Sequence, residues 1–265
     1  MKRALALGRL ACLCLPALAH DLWLVPPAGA IVGEPIEVEV SVGMEFPISL
    51  HSIDPERLTM EAVGPEGARV GVALRRDGES DRTSAAFTPA AKGAWLISAV
   101  TLPNRLEMEA AEFNDYLLHD GLPHVLAGRM DRGELDRDAA ERYSKYVKAL
   151  VPAGGASSGE AAGAILGHAL EIVALGRPLA ASVGQTLSVQ VLFRGEPLER
   201  ANLCWDHPAN GEDFSGQTWT DAQGKALVPI AKAGLMTVRL VHMTRPMTED
   251  HEWESFWASY TFRVR

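Results

Sequence analysis

Three side chains stand where a transition metal could be held: His20, His242 and Glu254. His20 lies in "ALAHDLWLVPP", residues 17–27, directly after a stretch laid out like a secretory leader. Lys2 and Arg3 precede an apolar run from Leu10 to Leu18, and the stretch closes on Ala17-Leu18-Ala19, small residues flanking a cut. Cleavage after Ala19 would make His20 the first residue. Its α-amine and ring Nδ1 could then close a six-membered chelate on one ion, a nitrogen pair that favours copper and nickel over zinc or iron.

The partners expected for that chelate come from the far end of the chain. In "LMTVRLVHM", residues 235–243, Met236, Val238 and Leu240 alternate on one face of a strand, and His242 continues that face. Glu254 heads a second alternating face with Phe256, Ala258, Tyr260 and Phe262, where a carboxylate is costly unless it is solvated, paired or bound to a cation. The expected site is thus a metal site of His20, His242 and Glu254, with no catalytic residue assigned. Nitrogen and carboxylate ligands accept nickel, cobalt, copper and zinc with overlapping preferences.

The other histidines are weaker candidates. His119 and His124 are five apart across an Asp-Gly turn, not the four-residue spacing of a helical metal pair. His51 and His207 are expected in loops, and His168 opens the second module as a structural residue. Glu109 and Glu112 share a helix face, as surface glutamates often do. There is no Gly-x-Ser-x-Gly elbow between a strand and a helix, the one string of that pattern, residues 155–159, falling in the Gly/Ala/Ser linker. Nor is there a His-Glu-x-x-His, a Gly-rich phosphate loop or a Cys-x-x-Cys, and the expectation is a protein that is not an enzyme. A copper redox enzyme would require a second histidine facing His20 across an open site.

Bulk properties narrow the partners. Of the three cysteines, Cys12 and Cys14 would leave with the leader, so Cys204 could form no internal disulfide. Loss of Lys2, Arg3 and Arg9 would leave 22 basic against 34 acidic residues, a net charge of about −12. That balance argues against nucleic acid and anionic membranes as partners. The leader's apolar run is too short to span a bilayer, which takes about 20 residues. The expected location is the periplasm, with no membrane insertion after cleavage.

The elements that must position these residues repeat. "VGEPIEVEVSVG" from Val32 and "VGQTLSVQVLFRG" from Val183 each set a turn glycine before alternation, with Ile36, Val38 and Val40 matching Leu187, Val189 and Val191. "TPAAKGAWLISAV" from Thr88 and "VPIAKAGLMTVRLV" from Val228 match in the same order. Two matches in register point to a duplicated sandwich. The expected fold is mainly β: two immunoglobulin-like or transthyretin-like β-sandwich modules with a small α-helical insert. The expected division is leader 1–19, N-terminal sandwich 20–106, helical insert 107–151, flexible Gly/Ala/Ser linker 152–164 and C-terminal sandwich 165–265. Within the insert, Phe113, Tyr116 and Leu117, then Tyr143, Tyr146, Val147 and Leu150, are spaced as on helices.

"AHDLWLVPP", "AEFNDYLLHDGL" with "RYSKYVKAL", and "VHMTRP" with "WESFWASYTF", in that order, closely resemble the DUF4198 family, a name also linked to periplasmic nickel or cobalt uptake components. The resemblance covers essentially the whole chain after residue 19 and implies a secreted β-rich protein associated with nickel and cobalt transport. The functional expectation is a periplasmic, non-enzymatic transition-metal-binding protein serving a membrane metal-uptake system. The rival expectation is a structural or adhesive module binding a carbohydrate or protein through Trp23, Trp205, Trp219 and Trp257.

Overall fold

The structure, a computed structural model, describes residues 20–156, 159–208 and 215–265. The expected leader lies outside the described residues. The chain opens with β1 (Asp21–Val25), β2 (Ile36–Gly43), β3 (Leu58–Val63), β4 (Arg69–Val70), β5 (Ala73–Asp77), β6 (Arg82–Phe87), β7 (Gly93–Thr101) and β8 (Asn104–Met108). Helices α1 (Ala110–His119) and α2 (Pro123–Asp131) follow, then the long strand β9 (Ala139–Ala153). The second half contains β10 (Leu170–Ala174), β11 (Thr186–Phe193), β12 (Glu196–Pro197), β13 (Asn202–Asp206), β14 (Gly216–Trp219), β15 (Lys225–Pro229), β16 (Gly234–Thr244) and β17 (Trp253–Val264).

The fold is mainly β, as the alternation predicts, and the matched segments occupy comparable places in it. β2 and β11 are the matched strands after Val-Gly, and each lies inside a small sheet: β1-β2-β6-β5 in the first half, β10-β11-β12 with β15 in the second. The turn glycines Gly33 and Gly184 both adopt positive φ, +85° and +86°, a conformation that a Cβ would strain. β7 and β16, the matched strands after Ala-Lys-Gly or its counterpart, lie in a third sheet of nine strands.

That third sheet is where the structure departs from two separate sandwiches. Its order is β14-β13-β16-β17-β9-β7-β3-β4, with β8 also on β9, so it runs unbroken through both halves. The join is the parallel pair β9 and β17, with Trp253 opposite Glu141 and Thr261 opposite Ala149. The small sheets cover opposite faces. Leu22, Leu24, Val38 and Val40 pack on Trp95, Ile97, Val147 and Ala149, whereas Ile172, Val189 and Val191 pack on Leu96, Leu150, Ala258 and Tyr260. Residues of opposite parity on the same strands therefore serve the two cores.

Two further expectations are corrected. The second helix expected in the insert, with Tyr143, Tyr146, Val147 and Leu150, is β9; burial on both faces removes the alternation that marks a half-buried strand. Among the described residues α-helix is confined to α1 and α2, and α1 lays Phe113, Tyr116 and Leu117 against Trp253 and Trp257 of β17. The expected linker is packed rather than free. Pro152 and Ala153 finish β9, Ala161 and Ala162 are buried in the C-terminal core, and the Tyr260 hydroxyl donates to the Ala162 carbonyl at 3.0 Å. Residues 157 and 158 of that stretch lie outside the described residues.

Candidate functional site

The three expected ligands do not meet. His242 and Glu254 continue the faces of β16 and β17 that carry Leu240 and Phe256, and so look toward the C-terminal small sheet. His20 leads into β1, in the small sheet covering the opposite face. A nine-stranded sheet separates them. The His242 ring sits edge-on to Phe193 at 4.4 Å between centroids and lines a cavity of about 660 Å³ with His124, Asn202 and Trp219. Burial, then the charges of His124 and Arg194, hold its pKa down at about 4. Glu254 is ion-paired with Arg194 at 3.6 Å and Arg142 at 3.9 Å, which supplies the cations its position requires.

What the structure places beside His20 is His51. β1 pairs antiparallel with β2, setting Leu22 opposite Val42. Residues 44–50 leave the sheet and return: the Leu50 amide donates to the Val42 carbonyl at 2.7 Å, the Ser41 hydroxyl donates to the Pro47 carbonyl at 2.9 Å, and His51 forms a bridge to Val42. The two imidazoles meet edge to face with centroids 4.6 Å apart, and His20 Nδ1 faces His51 Nε2 at 3.5 Å. No periodicity marks His51, because a returning loop delivers it. Its one local signal is the Ser-x-Asp-Pro turn that follows it and feeds β3.

Both rings open onto a cavity of about 300 Å³ whose walls include Leu22, Ile53, Arg57, Tyr143 and Lys145. Burial, then the charges of His51 and Lys145, lower the His20 pKa, with Asp21 opposing them. The ring is therefore neutral over a wider pH range than an ordinary histidine, which is the state a metal ligand needs.

A buried charged cluster anchors His20. Lys145 Nζ donates to the His20 carbonyl and lies 4.5 Å from the centre of the Trp257 ring. Burial depresses the Lys145 ammonium to a pKa of about 8 against the pull of Asp21, Asp120 and Glu141. Asp21 pairs with Arg239 at 3.3 Å, and Arg239 donates through Nε to Asp206 at 2.9 Å. Burial would lower the Arg239 pKa, but Asp21 and Asp206 outweigh it and raise it. Burial pushes Asp120 and Glu141 up to about 7. Glu141 Oε1 accepts from the Tyr116 hydroxyl at 3.2 Å and from Ser255, while its Oε2 has no partner. The Ser259 hydroxyl donates to the Leu22 carbonyl at 2.9 Å, completing the attachment of β1 to β17.

The 3.5 Å between the ring nitrogens is that of a long hydrogen bond, and it can also be compared with the spacing of two ligands on one ion. Imidazole nitrogens about 2.0–2.1 Å from one ion are separated by about 2.9 Å at a right angle and about 4.1 Å when opposed. The 3.5 Å observed falls between. Among the described residues no group of three His, Cys, Asp or Glu side chains is placed to hold a metal. In the uncut chain the His20 nitrogen is a peptide nitrogen; cleavage after Ala19 would turn it into the amine of a three-nitrogen set.

The remaining candidates resolve by burial. Trp23 and Trp257 are 1% and 3% exposed, so the aromatic groove expected of an adhesive module has lost two of its four members. Trp219 is 48% exposed. His168 lies against the buried pair of Lys148 and Glu171, whose Nζ and Oε1 are 2.5 Å apart. His207 Nδ1 is 3.1 Å from the Leu235 carbonyl oxygen. Among the described residues no helix is long and apolar enough to cross a membrane.

The chain belongs to the family DUF4198, described as a domain of unknown function, whose profile matches residues 17–244. β17 lies beyond that match. No curated protein matches the sequence. Solved structures with similarity include the Lin-41 filamin domain, at 14% identity over 31% of this chain and 78% of that one, TM-score 0.25. The adhesin InvE of Yersinia pseudotuberculosis is 10% identical over 91% of this chain and 58% of its own, TM-score 0.25. The trypsin-activated alpha-2-macroglobulin of Escherichia coli is 9% identical over 94% of this chain and 16% of its own, TM-score 0.24. The chain thus spans little more than half of the adhesin and a sixth of the macroglobulin.

Proposed function

We propose that this DUF4198 member is an exported transition-metal-binding protein whose ligands are the amine and Nδ1 of His20, freed by cleavage after Ala19, and Nε2 of His51. The observation that carries the reading is the 3.5 Å approach of the two ring nitrogens at the mouth of a cavity. An all-nitrogen set ranks copper ahead of nickel and nickel ahead of cobalt. The role that follows is capture of the ion in the periplasm for a membrane uptake system. Nickel or cobalt uptake, which the family resemblance implies, would need supply to override that ranking. His242 and Glu254 are outside this site.

The experiment is calorimetric titration with copper(II), nickel(II) and cobalt(II) of protein exported and cut in the cell, beside a form carrying one residue ahead of His20. Binding that requires the free amine supports the reading, and equal binding by both forms removes it.

A second reading rests on His51 in contact with His20 beside an open cavity, a histidine pair of the kind that a copper redox centre with an amino-terminal histidine requires. Oxygen uptake by the copper-loaded protein with ascorbate, above that of the same copper free in solution, would favour an enzyme. Uptake at or below the free-copper rate favours binding alone.

A further inference from the structure

The cavity beside His20 and His51 has a composition of its own. The chain carries 34 acidic residues, yet among the described residues no carboxylate lines this cavity, whereas Arg57 does. Lys145 lines it too, but its ammonium is engaged by the His20 carbonyl and by Asp21, Asp120 and Glu141 behind the wall. Arg57 is half-buried, and its Nη2 donates to the Leu102 carbonyl at 3.1 Å. Among the described residues it makes no ion pair, although most arginines of the first half are paired with Glu or Asp. Tyr143 accepts a hydrogen bond from Asn104 Nδ2 at 3.0 Å, which leaves its own proton to give. Ser52 and Thr101 add two hydroxyls, and the rest of the wall is apolar, chiefly Leu22, Val42 and Ile53.

We infer that this cavity binds a small organic monocarboxylate, its carboxylate held by Arg57 with the Tyr143 hydroxyl and its short aliphatic body laid on Leu22, Val42 and Ile53. A volume of about 300 Å³ stands at the lower end of the usual range for ligand pockets, roughly 300–1,000 Å³, and restricts the occupant to a few carbons beyond the carboxylate. A planar guanidinium suits a carboxylate because its donors match both oxygens. A cation at His20 and His51 would stand in the wall of the same cavity. The inference rests on the metal reading in that respect alone: a bound metal would strengthen anion binding, and the metal-free protein would still bind.

The test uses exported, cleaved protein stripped of metal with a chelator, titrated with isovalerate and with its neutral counterpart isovaleramide, and followed by proton NMR of the ligand methyl groups. The expected result is that isovalerate binds at least roughly tenfold more tightly than the amide, the scale of charge-assisted hydrogen bonds lost with the charge. Arg57→Gln should abolish most of that preference. Equal binding of acid and amide, no binding of either, or a preference that Arg57→Gln leaves intact would each overturn the inference. Copper(II) titration of the same preparation is scored separately. Charge-selective anion binding without copper binding would sink only the metal reading, and the reverse result only this one.

Discussion

Asp21 on β1 and Arg239 on β16 meet at 3.3 Å, although they stand 218 positions apart in the chain, and Asp206 of β13 accepts from the same guanidinium. The pair fastens the residue next to His20 to the C-terminal half of the nine-stranded sheet. The start of the described chain is therefore held by both halves of the fold.

Removing the guanidinium should cost stability. Arg239→Gln leaves two carboxylates facing each other without their shared cation. Breaking a fully buried pair costs about 3–5 kcal/mol. Arg239 keeps 24% of its side chain exposed, which brings the expectation to about 2 kcal/mol. Urea unfolding measures it, and a loss under about 0.5 kcal/mol, the range of ordinary surface substitutions, would show that the pair anchors nothing.

Glu141 carries a pH signature. Burial raises its carboxyl from the ordinary 4.5 to about 7. A folded-state value above the unfolded one contributes stability that is complete below about pH 4.5 and lost as pH rises through 7. Glutamine at this position stays neutral throughout. Glu141→Gln should gain on the parent between pH 5 and pH 8, by at most about 3 kcal/mol for a displacement of that size. Melting temperatures of both proteins across that range decide it, and parallel curves would contradict the assignment.

Lys148 and Glu171 form an ion pair inside the C-terminal module, with side chains 2% and 1% exposed. Lys148 Nζ also donates to the Ile172 carbonyl at 3.1 Å, and Glu171 accepts from the amides of Leu166, Gly167 and His168. Lys148→Met should destabilise by about 3 kcal/mol by leaving a buried carboxylate without its cation. Chemical denaturation would read the loss, and an unchanged midpoint would mean that the three amides suffice.

The final strand should be indispensable although the family match ends at residue 244. β17 lies between β16 and β9, and its Phe256, Ala258, Tyr260 and Phe262 are part of the C-terminal core. A chain ending at Glu252 should fail to fold, seen as loss of the β-sheet signal in circular dichroism. A truncated chain with a native spectrum and cooperative melting would show that the two halves stand apart.

Strand faces were legible in the sequence wherever one side is buried and the other wet. The alternation of Met236, Val238 and Leu240 placed His242 on the correct face, and the face from Glu254 to Phe262 is the one observed. β9 was not legible. Tyr143, Tyr146, Val147 and Leu150 fit helical spacing, and a strand covered on both sides offers no period of two to oppose it. Nor could parity on separate strands show that His20 and His242 lie across a sheet, since that depends on which small sheet covers which face. The sequence predicts His51 in a loop; it is in one, and it reaches His20 because the loop from Met44 to Leu50 returns to Val42.

Metal binding at His20 depends, in this proposal, on an amine that only cleavage provides, with His51 as its partner. Copper(II) calorimetry on the cleaved protein, on its one-residue extension and on His51→Ala measures that dependence. Tight binding is expected of the cleaved protein, with losses of at least about 100-fold in the other two, since losing a direct ligand should cost no less than the 10–100-fold seen for supporting groups. Equal affinity in all three would rule out both the amine and His51 as ligands.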